Sequence, residues 1–236
     1  MTVHYDDLSI NRNIRLDLPL REGIGVITQD VAKPHHPVTL HNTPAWTILD
    51  SHLGCLTLDG INEHLRSLAA DTVDLDFTSH DYSLGGWFFI ASGGNDNKTL
   101  MSRFLLDNNG WELYHYTNAI LTLRHHHSLT PHPINPRSGI YSTGWAFNKW
   151  WFMGISRHGS SVQFWRGDVD GFAALTTIGD LVDPESCNQN FYVGCNPLLA
   201  NFNNGLIWRP RIWGDRYLSE ADWARIYERE LRWFLS

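Results

Sequence analysis

Short apolar segments alternate with clusters of Gly, Asn and Asp along almost the whole chain. Leu53–Leu58 is followed by Asp59 and Gly60, Leu84–Ala91 by a Ser-Gly-Gly-Asn-Asp-Asn run, and Leu100–Leu106 by Asp-Asn-Asn-Gly. The same rhythm continues through Trp111–Tyr116, Ala119–Arg124, Trp150–Ser156, Val162–Trp165, Phe191–Gly194 and Gly205–Trp213. Turn residues this closely spaced leave no room for helices of ordinary length and specify many short strands, as in a sandwich or barrel. The period is two where it can be read: Trp111, Leu113 and His115 share one face of a strand, and Glu112, Tyr114 and Tyr116 share the other.

One segment departs from this pattern. Trp223, Ile226, Tyr227, Leu231 and Phe234 recur at helical spacing, with Ser219 as N-cap and Asp222 three residues on, which predicts a helix over 219–235. Its apolar stripe closes one edge of the sandwich, or alternatively docks another chain. Pro210 inside an apparent strand marks an edge or a bulge. Residues 128–139 carry three prolines and read as a loop. Residues 1–12 are polar and read as an N-terminal arm, and 13–236 as a single domain with no repeat or linker.

Hydrophobic residues make up 42% and charged residues only 18%, with 11 Trp, which suits strands and a partner-covered surface. The net charge of -7 without a basic stripe argues against nucleic acid as a partner. Three cysteines, Cys55, Cys187 and Cys195, read as reduced buried thiols, a Cys187–Cys195 bridge being the alternative. The first residues show no signal peptide, and no apolar run is long enough to insert in a membrane, so the expected product is made in a cytoplasm and stays soluble, or leaves the cell by lysis or a signal-independent route.

In order, several segments resemble the laminin-G-like, concanavalin A-like jelly-roll family. Asp17–Asp30 looks like its opening strand, Leu56–His64 like its Asp-Gly hairpin, and Tyr82–Phe89 like its Trp-containing strand. Trp150–Trp165 looks like its central hairpin turning at His158-Gly159, Phe191–Gly194 and Phe202–Trp213 like its closing strands, and Leu218–Asp222 like the start of its final helix. The resemblance covers about residues 14–236 and implies an all-β fold: a two-sheet antiparallel jelly-roll sandwich with one C-terminal helix. It implies no single function, because the scaffold hosts lectins, adhesion modules, glycosidases and structural proteins.

Glycosidases need two convergent carboxylates. The alternating acids Asp74/Asp76 and Asp168/Asp170 read instead as turn residues that bond their own backbone, and the family's glucanase signature is absent, so no catalytic residue is assigned. Members of the family that bind Ca²⁺ use acids of the Asp-Gly hairpin, to which Asp59, Asn62 and Glu63 correspond. The closing-strand Asp of that site is Trp208 here, so the preferred reading is a plain turn with no cofactor and Ca²⁺ is the alternative. His125, His126 and His127 read as an exposed strand end rather than a metal site, His35 and His36 as loop, and Arg166-Gly167-Asp168 as a hairpin tip. Sugar binding uses open aromatic faces beside amide or carboxylate groups. The candidates are Trp111, Tyr114, Tyr116 and Asn118, with Trp151 and Trp165.

These features lead to a non-catalytic interaction protein of a larger assembly. Its partners are copies of itself or other assembly proteins, and by fold analogy it is a virion surface component of tailed phages: a decoration, tail or fibre protein. The alternative is a lectin-like module binding glycans; a glycosidase is third.

Overall fold

The protein was analysed as a computed structural model that describes residues 5, 8–128, 137–175 and 177–235. The strands are β1 (Ile14–Asp17), β2 (Ile27–Gln29), β3 (Pro37–His41), β4 (Ala45–Ile48), β5 (Gly54–Asp59), β6 (His64–Ser67), β7 (Tyr82–Ile90) and β8 (Asn97–Leu105). They continue as β9 (Asn109–Tyr116), β10 (Ile120–His126), β11 (Arg137–Thr143), β12 (Trp150–His158), β13 (Ser161–Asp168), β14 (Gly171–Ala174), β15 (Phe191–Val193) and β16 (Asn204–Gly214). A single α-helix among the described residues, α1 (Glu220–Glu230), follows. The strands form two antiparallel eight-stranded sheets. The first runs β14-β13-β12-β7-β16-β5-β4, with β1 also on β16, and the second runs β11-β10-β9-β8-β15-β6-β3-β2. The fold is thus the two-sheet antiparallel sandwich with a C-terminal helix that the resemblance implies.

Between the sheets lies the main core, where Leu84, Phe88, Met153 and Ile207 of the first sheet meet Leu100, Trp111, Leu113 and Leu123 of the second. The two-residue period in β9 holds: Trp111 and Leu113 point inward. The first sheet has a second buried face as well. Trp87, Phe152, Trp165 and Trp213 point outward into a separate apolar cluster roofed by Trp223, Ile226 and Tyr227 of α1.

The helix therefore covers a face of the sandwich and not an edge. Its start is built as expected, with Ser219 Oγ accepting from Asp222 N at 3.3 Å and Asp222 Oδ2 accepting from Ser219 N at 3.1 Å. Glycines make the trough it lies in. A Cβ on Gly154 would stand 2.8 Å from the Trp223 ring, and one on Gly167 2.7 Å from the Tyr227 ring. Arg166-Gly167-Asp168 is therefore built into β13 beneath the helix and is not a hairpin tip.

Buried ion pairs lock this layer. Glu230 takes Arg209 on Oε1 at 3.2 Å, and on Oε2 it takes Arg211 at 2.8 Å and the Trp87 indole N–H at 3.1 Å. Asp17, fully buried, receives the Arg209 fork at 3.1 and 3.0 Å and the Tyr5 hydroxyl at 2.5 Å. Arg209 reaches both acids because Pro210 makes a bulge: the register of β16 on β7 slips between Trp208 and Arg211, and Arg209 has φ +53°. The N-terminal stretch does not stand free at its described residues. Ile10 is buried, its carbonyl accepts from Trp213 Nε1 at 2.9 Å, and Arg216 binds the carbonyls of Ser9 and Arg12 at 2.8 Å each.

One further expectation needs correction, and the reading of the cysteines as reduced buried thiols holds. Residues 137–139 belong to β11, whose pairing with β10 extends to Arg137, so the loop read over 128–139 is shorter at its C-terminal end; residues 129–136 lie outside the described residues. All three cysteines are free and buried, and burial pushes the Cys55 and Cys195 thiols up to about 12. No helix among the described residues is long and apolar enough to cross a membrane.

Candidate ligand-binding groove

Most of the aromatic residues named from sequence are closed off. Trp111 is fully buried in the main core and donates from Nε1 to the Leu75 carbonyl at 3.0 Å. Trp151 faces the same core, 5% exposed, and bonds the Ala146 carbonyl at 2.8 Å. Trp165 points the other way but lies beneath Trp223 and is 1% exposed. Tyr114 is 5% exposed because Arg124, its neighbour on β10, lays its guanidinium over the ring at 4.7 Å and bonds the hydroxyl. Tyr116 and Asn118 are exposed at the end of the β9–β10 hairpin. The expected platform is thus reduced to its two outermost residues.

The Asp-Gly hairpin is a self-contained turn. Asp59 Oδ1 accepts from the backbone N–H groups of Ile61, Asn62 and Glu63 at 2.8, 3.1 and 3.2 Å, and Glu63 Oε2 accepts from Asp59 N at 2.8 Å. Slight burial works against the Asp59 charge, but these N–H donors hold its carboxyl below the usual range, whereas burial and the Asp59 charge push Glu63 up. The Asn62 carbonyl is taken by His64 and Asn42. Among the described residues no group of three His, Cys, Asp or Glu side chains could hold a metal ion.

The histidines depart most from expectation. His125, His126 and His127 are fully buried: the segment leading from β14 to β15 passes over His125, and His126 stacks on the Phe104 ring at 4.2 Å. His125 donates from Nδ1 to the Val182 carbonyl at 2.7 Å and accepts the Tyr82 hydroxyl on Nε2 at 2.5 Å, which specifies the neutral tautomer. Burial pushes its pKa down to about 3. His36 is the opposite case. Its Nδ1 meets Asp30 and its Nε2 meets Asp74, each at 2.7 Å, so both nitrogens donate and the ring is an imidazolium. Burial alone would lower its pKa, but the bonds and charges of Asp30 and Asp74 outweigh it and raise it to about 9.

Asp74 and Asp76 consequently bond across the fold and not their own turn: Asp76 accepts from Ser186 Oγ at 2.5 Å and Cys187 N at 2.7 Å. Asp168 does bond its own turn, through Asp170 N at 2.8 Å, and also pairs with Lys149 at 2.5 Å.

An open aromatic surface with free polar groups occurs where the chain leaves β16 for the helix. Tyr217, 41% exposed, forms one wall of a groove of about 490 Å³ whose other walls are His158, Ser161, Gln163, Thr177 and Asp81. The β12–β13 hairpin brings His158 opposite Ser161. The His158 ring stands edge-on to Tyr217 at 6.2 Å and is fixed from behind, its Nδ1 donating to Asp81 Oδ2 at 2.6 Å. Asp81 also accepts from Gly159 N at 3.0 Å; partial burial works against its charge, but these donors hold it below the usual carboxylate range. Gln163 is held by the Phe164 and Leu175 carbonyls and by Thr177. Among the described residues none bonds His158 Nε2, the Tyr217 hydroxyl or Ser161 Oγ, and all three residues line the groove. Sequence reasoning missed Tyr217 because it lies in no strand and carries no periodic signal; only its place beside the conspicuous His158-Gly159 turn could have drawn attention to it.

No family model matches the chain, and no curated protein matches it. Solved structures do. The binding domain of botulinum neurotoxin serotype G superposes with a TM-score of 0.69 at 13% identity, over 92% of this chain and 51% of that one. The receptor-binding domain of botulinum neurotoxin D superposes with a TM-score of 0.69 at 14% identity, over 94% and 54%. The likeness is one of fold. The chain spans about half the length of the solved chains it matches.

Proposed function

We propose that the chain is a non-catalytic recognition module that holds a saccharide in the groove walled by Tyr217. The observation that carries this reading is the coincidence there of an exposed aromatic ring with three free hydrogen-bonding groups. An aromatic face takes the apolar side of a sugar ring while fixed polar groups read its hydroxyls. The botulinum neurotoxin domains of like fold are named as binding domains, that of serotype D as a receptor-binding domain, which supports a recognition role. The acid pairs offer no rival: Asp74, Asp76 and Asp168 are each engaged structurally. The test is a glycan array followed by calorimetry on the best hit. Tyr217→Ala should weaken binding at least tenfold, and Tyr116→Ala, at the remnant of the sequence-based platform, should leave it unchanged. Equal binding by wild type and Tyr217→Ala refutes the assignment.

A second reading, membership of a larger assembly such as a virion surface, is favoured by the apolar edge where the end strands β2 and β4 come together. Ile24, Val26, Ile27 and Ile48 are between 55 and 80% exposed there, and Trp46 Nε1 ties the two edges by donating to the Gly25 carbonyl at 3.2 Å. Exposed β-branched residues on terminal strands invite continuation of the sheet. The occupant is a second copy of this chain. Light scattering over a concentration range should show a dimer or larger species that Val26→Lys with Ile48→Lys dissociates; a monomer at every concentration refutes self-assembly through this edge.

A further inference from the structure

Beyond the end of α1 opposite the Tyr217 groove, the last turns of the helix, the bulged part of β16 and the docked N-terminal stretch enclose a pocket of about 310 Å³. Its lining includes the buried acid Glu230, already engaged by Arg209, Arg211 and Trp87, and the Arg209 and Tyr5 side chains that engage Asp17 behind it. Its rim carries Arg225, Arg229 and Arg232, four and three residues apart and so on one side of the helix, all exposed. Among the described residues none of these three has a carboxylate partner; the ion pairs of this region are those of Arg209, Arg211 and Arg216. Trp233, half-buried, completes the wall and stacks under the Arg232 guanidinium at 4.8 Å, which limits the directions that fork can take.

The ordinary explanation of basic residues here is the helix dipole, which favours cations at a C-terminus. It accounts for Arg229 and Arg232. It acts only within the last turn, so it does not account for Arg225. Nor does it explain why a chain of net charge -7 gathers three unpaired guanidinium groups around one concavity beside an indole. Guanidinium forks match tetrahedral oxyanions, and an indole face matches a sugar ring. The volume is at the lower end of small-ligand sites, enough for one ring with its ester.

We propose that this pocket binds a sulfate or phosphate ester of a saccharide, with the oxyanion held by Arg225, Arg229 and Arg232 and the ring laid on Trp233. The site is separate from the Tyr217 groove and stands whether or not that groove binds.

The full-length protein is titrated calorimetrically at low salt with four probes: a sulfated disaccharide, the same disaccharide unsulfated, inorganic sulfate, and vesicles containing anionic phospholipid. The sulfated disaccharide should bind at least tenfold tighter than either the unsulfated one or inorganic sulfate. Arg225→Gln and Arg229→Gln should each weaken it at least fivefold. Arg21→Gln, the same charge change at an exposed site elsewhere, should stay within twofold, as should Tyr217→Ala. All of these variants are at the surface, and circular dichroism verifies their fold. Equal effects of Arg21→Gln and Arg225→Gln would overturn the location. Inorganic sulfate binding as tightly as the sulfated disaccharide would overturn the role of the ring. Binding of vesicles without the sulfated disaccharide would overturn the ligand class in favour of a membrane surface.

Discussion

The Asp30–His36–Asp74 clasp makes a testable link between structure and pH. It joins the loop before β3 to the turn containing Asp74, tying together two segments far apart in sequence. The His36 imidazolium has its pKa raised to about 9, against 6.5 in an unstructured chain. At about 1.4 kcal/mol per tenfold change in proton affinity, the proton it binds contributes about 3 kcal/mol to the native state. A raised folded pKa means the contribution is complete below pH 6.5 and is lost as pH climbs through about 9. The perturbation is His36→Gln, neutral at every pH. Asp30 remains satisfied in that variant, since Oδ1 accepts from Asp17 N and Ala32 N, each at 2.9 Å, and Oδ2 from the residue 36 backbone at 3.0 Å. Buried thiols complicate the alkaline side: Cys55 and Cys195, pushed up to about 12, also cost stability once the unfolded chain begins to ionise them. That loss is common to both proteins, so the difference between them isolates His36. Urea unfolding at intervals from pH 6 to 10 should show the wild type's advantage shrinking by about 3 kcal/mol, and an NMR titration should place the His36 midpoint near 9. Parallel stability curves, or a midpoint below 7, would refute the doubly donating imidazolium.

His125 behaves in the opposite sense: its folded pKa is lowered to about 3, so the unfolded chain binds a proton that the native chain refuses, and stability should fall as pH drops below 6.5; an NMR midpoint near 6 would contradict the neutral tautomer. Gly154→Ala places a methyl group 2.8 Å from the Trp223 ring and should cost about 1–3 kcal/mol as the helix is lifted, read as a lower melting temperature; an unchanged melt would mean that the helix is loosely seated. Glu230→Gln leaves Arg211 and Arg209 without their shared buried charge and should cost about 3–5 kcal/mol in urea unfolding, whereas Glu228→Gln, on the exposed side of the same helix, should stay within about 0.5 kcal/mol.

The strands that were legible were so because both of their signals are local, whereas β3, β4, β11 and β14 carried neither signal strongly enough to be named. Trp111–Tyr116 shows its inward and outward faces in a six-residue window, and the Gly, Asn and Asp runs that end each strand lie next to it in the chain. The capping pair Ser219 and Asp222 is local too, and it forms as read. Pro210 was legible as a disturbance, but not as the bulge that lets Arg209 reach Asp17 and Glu230, since those acids are 192 and 21 residues away.

What covers a strand is not local, and the site depended on it. The two-residue period tells which side chains share a face but not whether that face meets water. Trp165 lies on the outer face of the first sheet, where an ordinary sandwich is wet, and is buried only because α1 returns to that face. His125 lies on the polar end of a strand and is buried where Val182 passes over it. Of the aromatics that suggested a sugar platform, Trp111 and Trp151 went to the main core and Trp165 to the second one. The two proposed recognition surfaces lie where that core ends: at the entry of α1, where Tyr217 stands open, and at its exit, where Arg225, Arg229 and Arg232 line the pocket beside Trp233. A helix laid across a sheet must leave the sheet uncovered beyond both of its ends, so the element that buries Trp165 also bounds the two concavities.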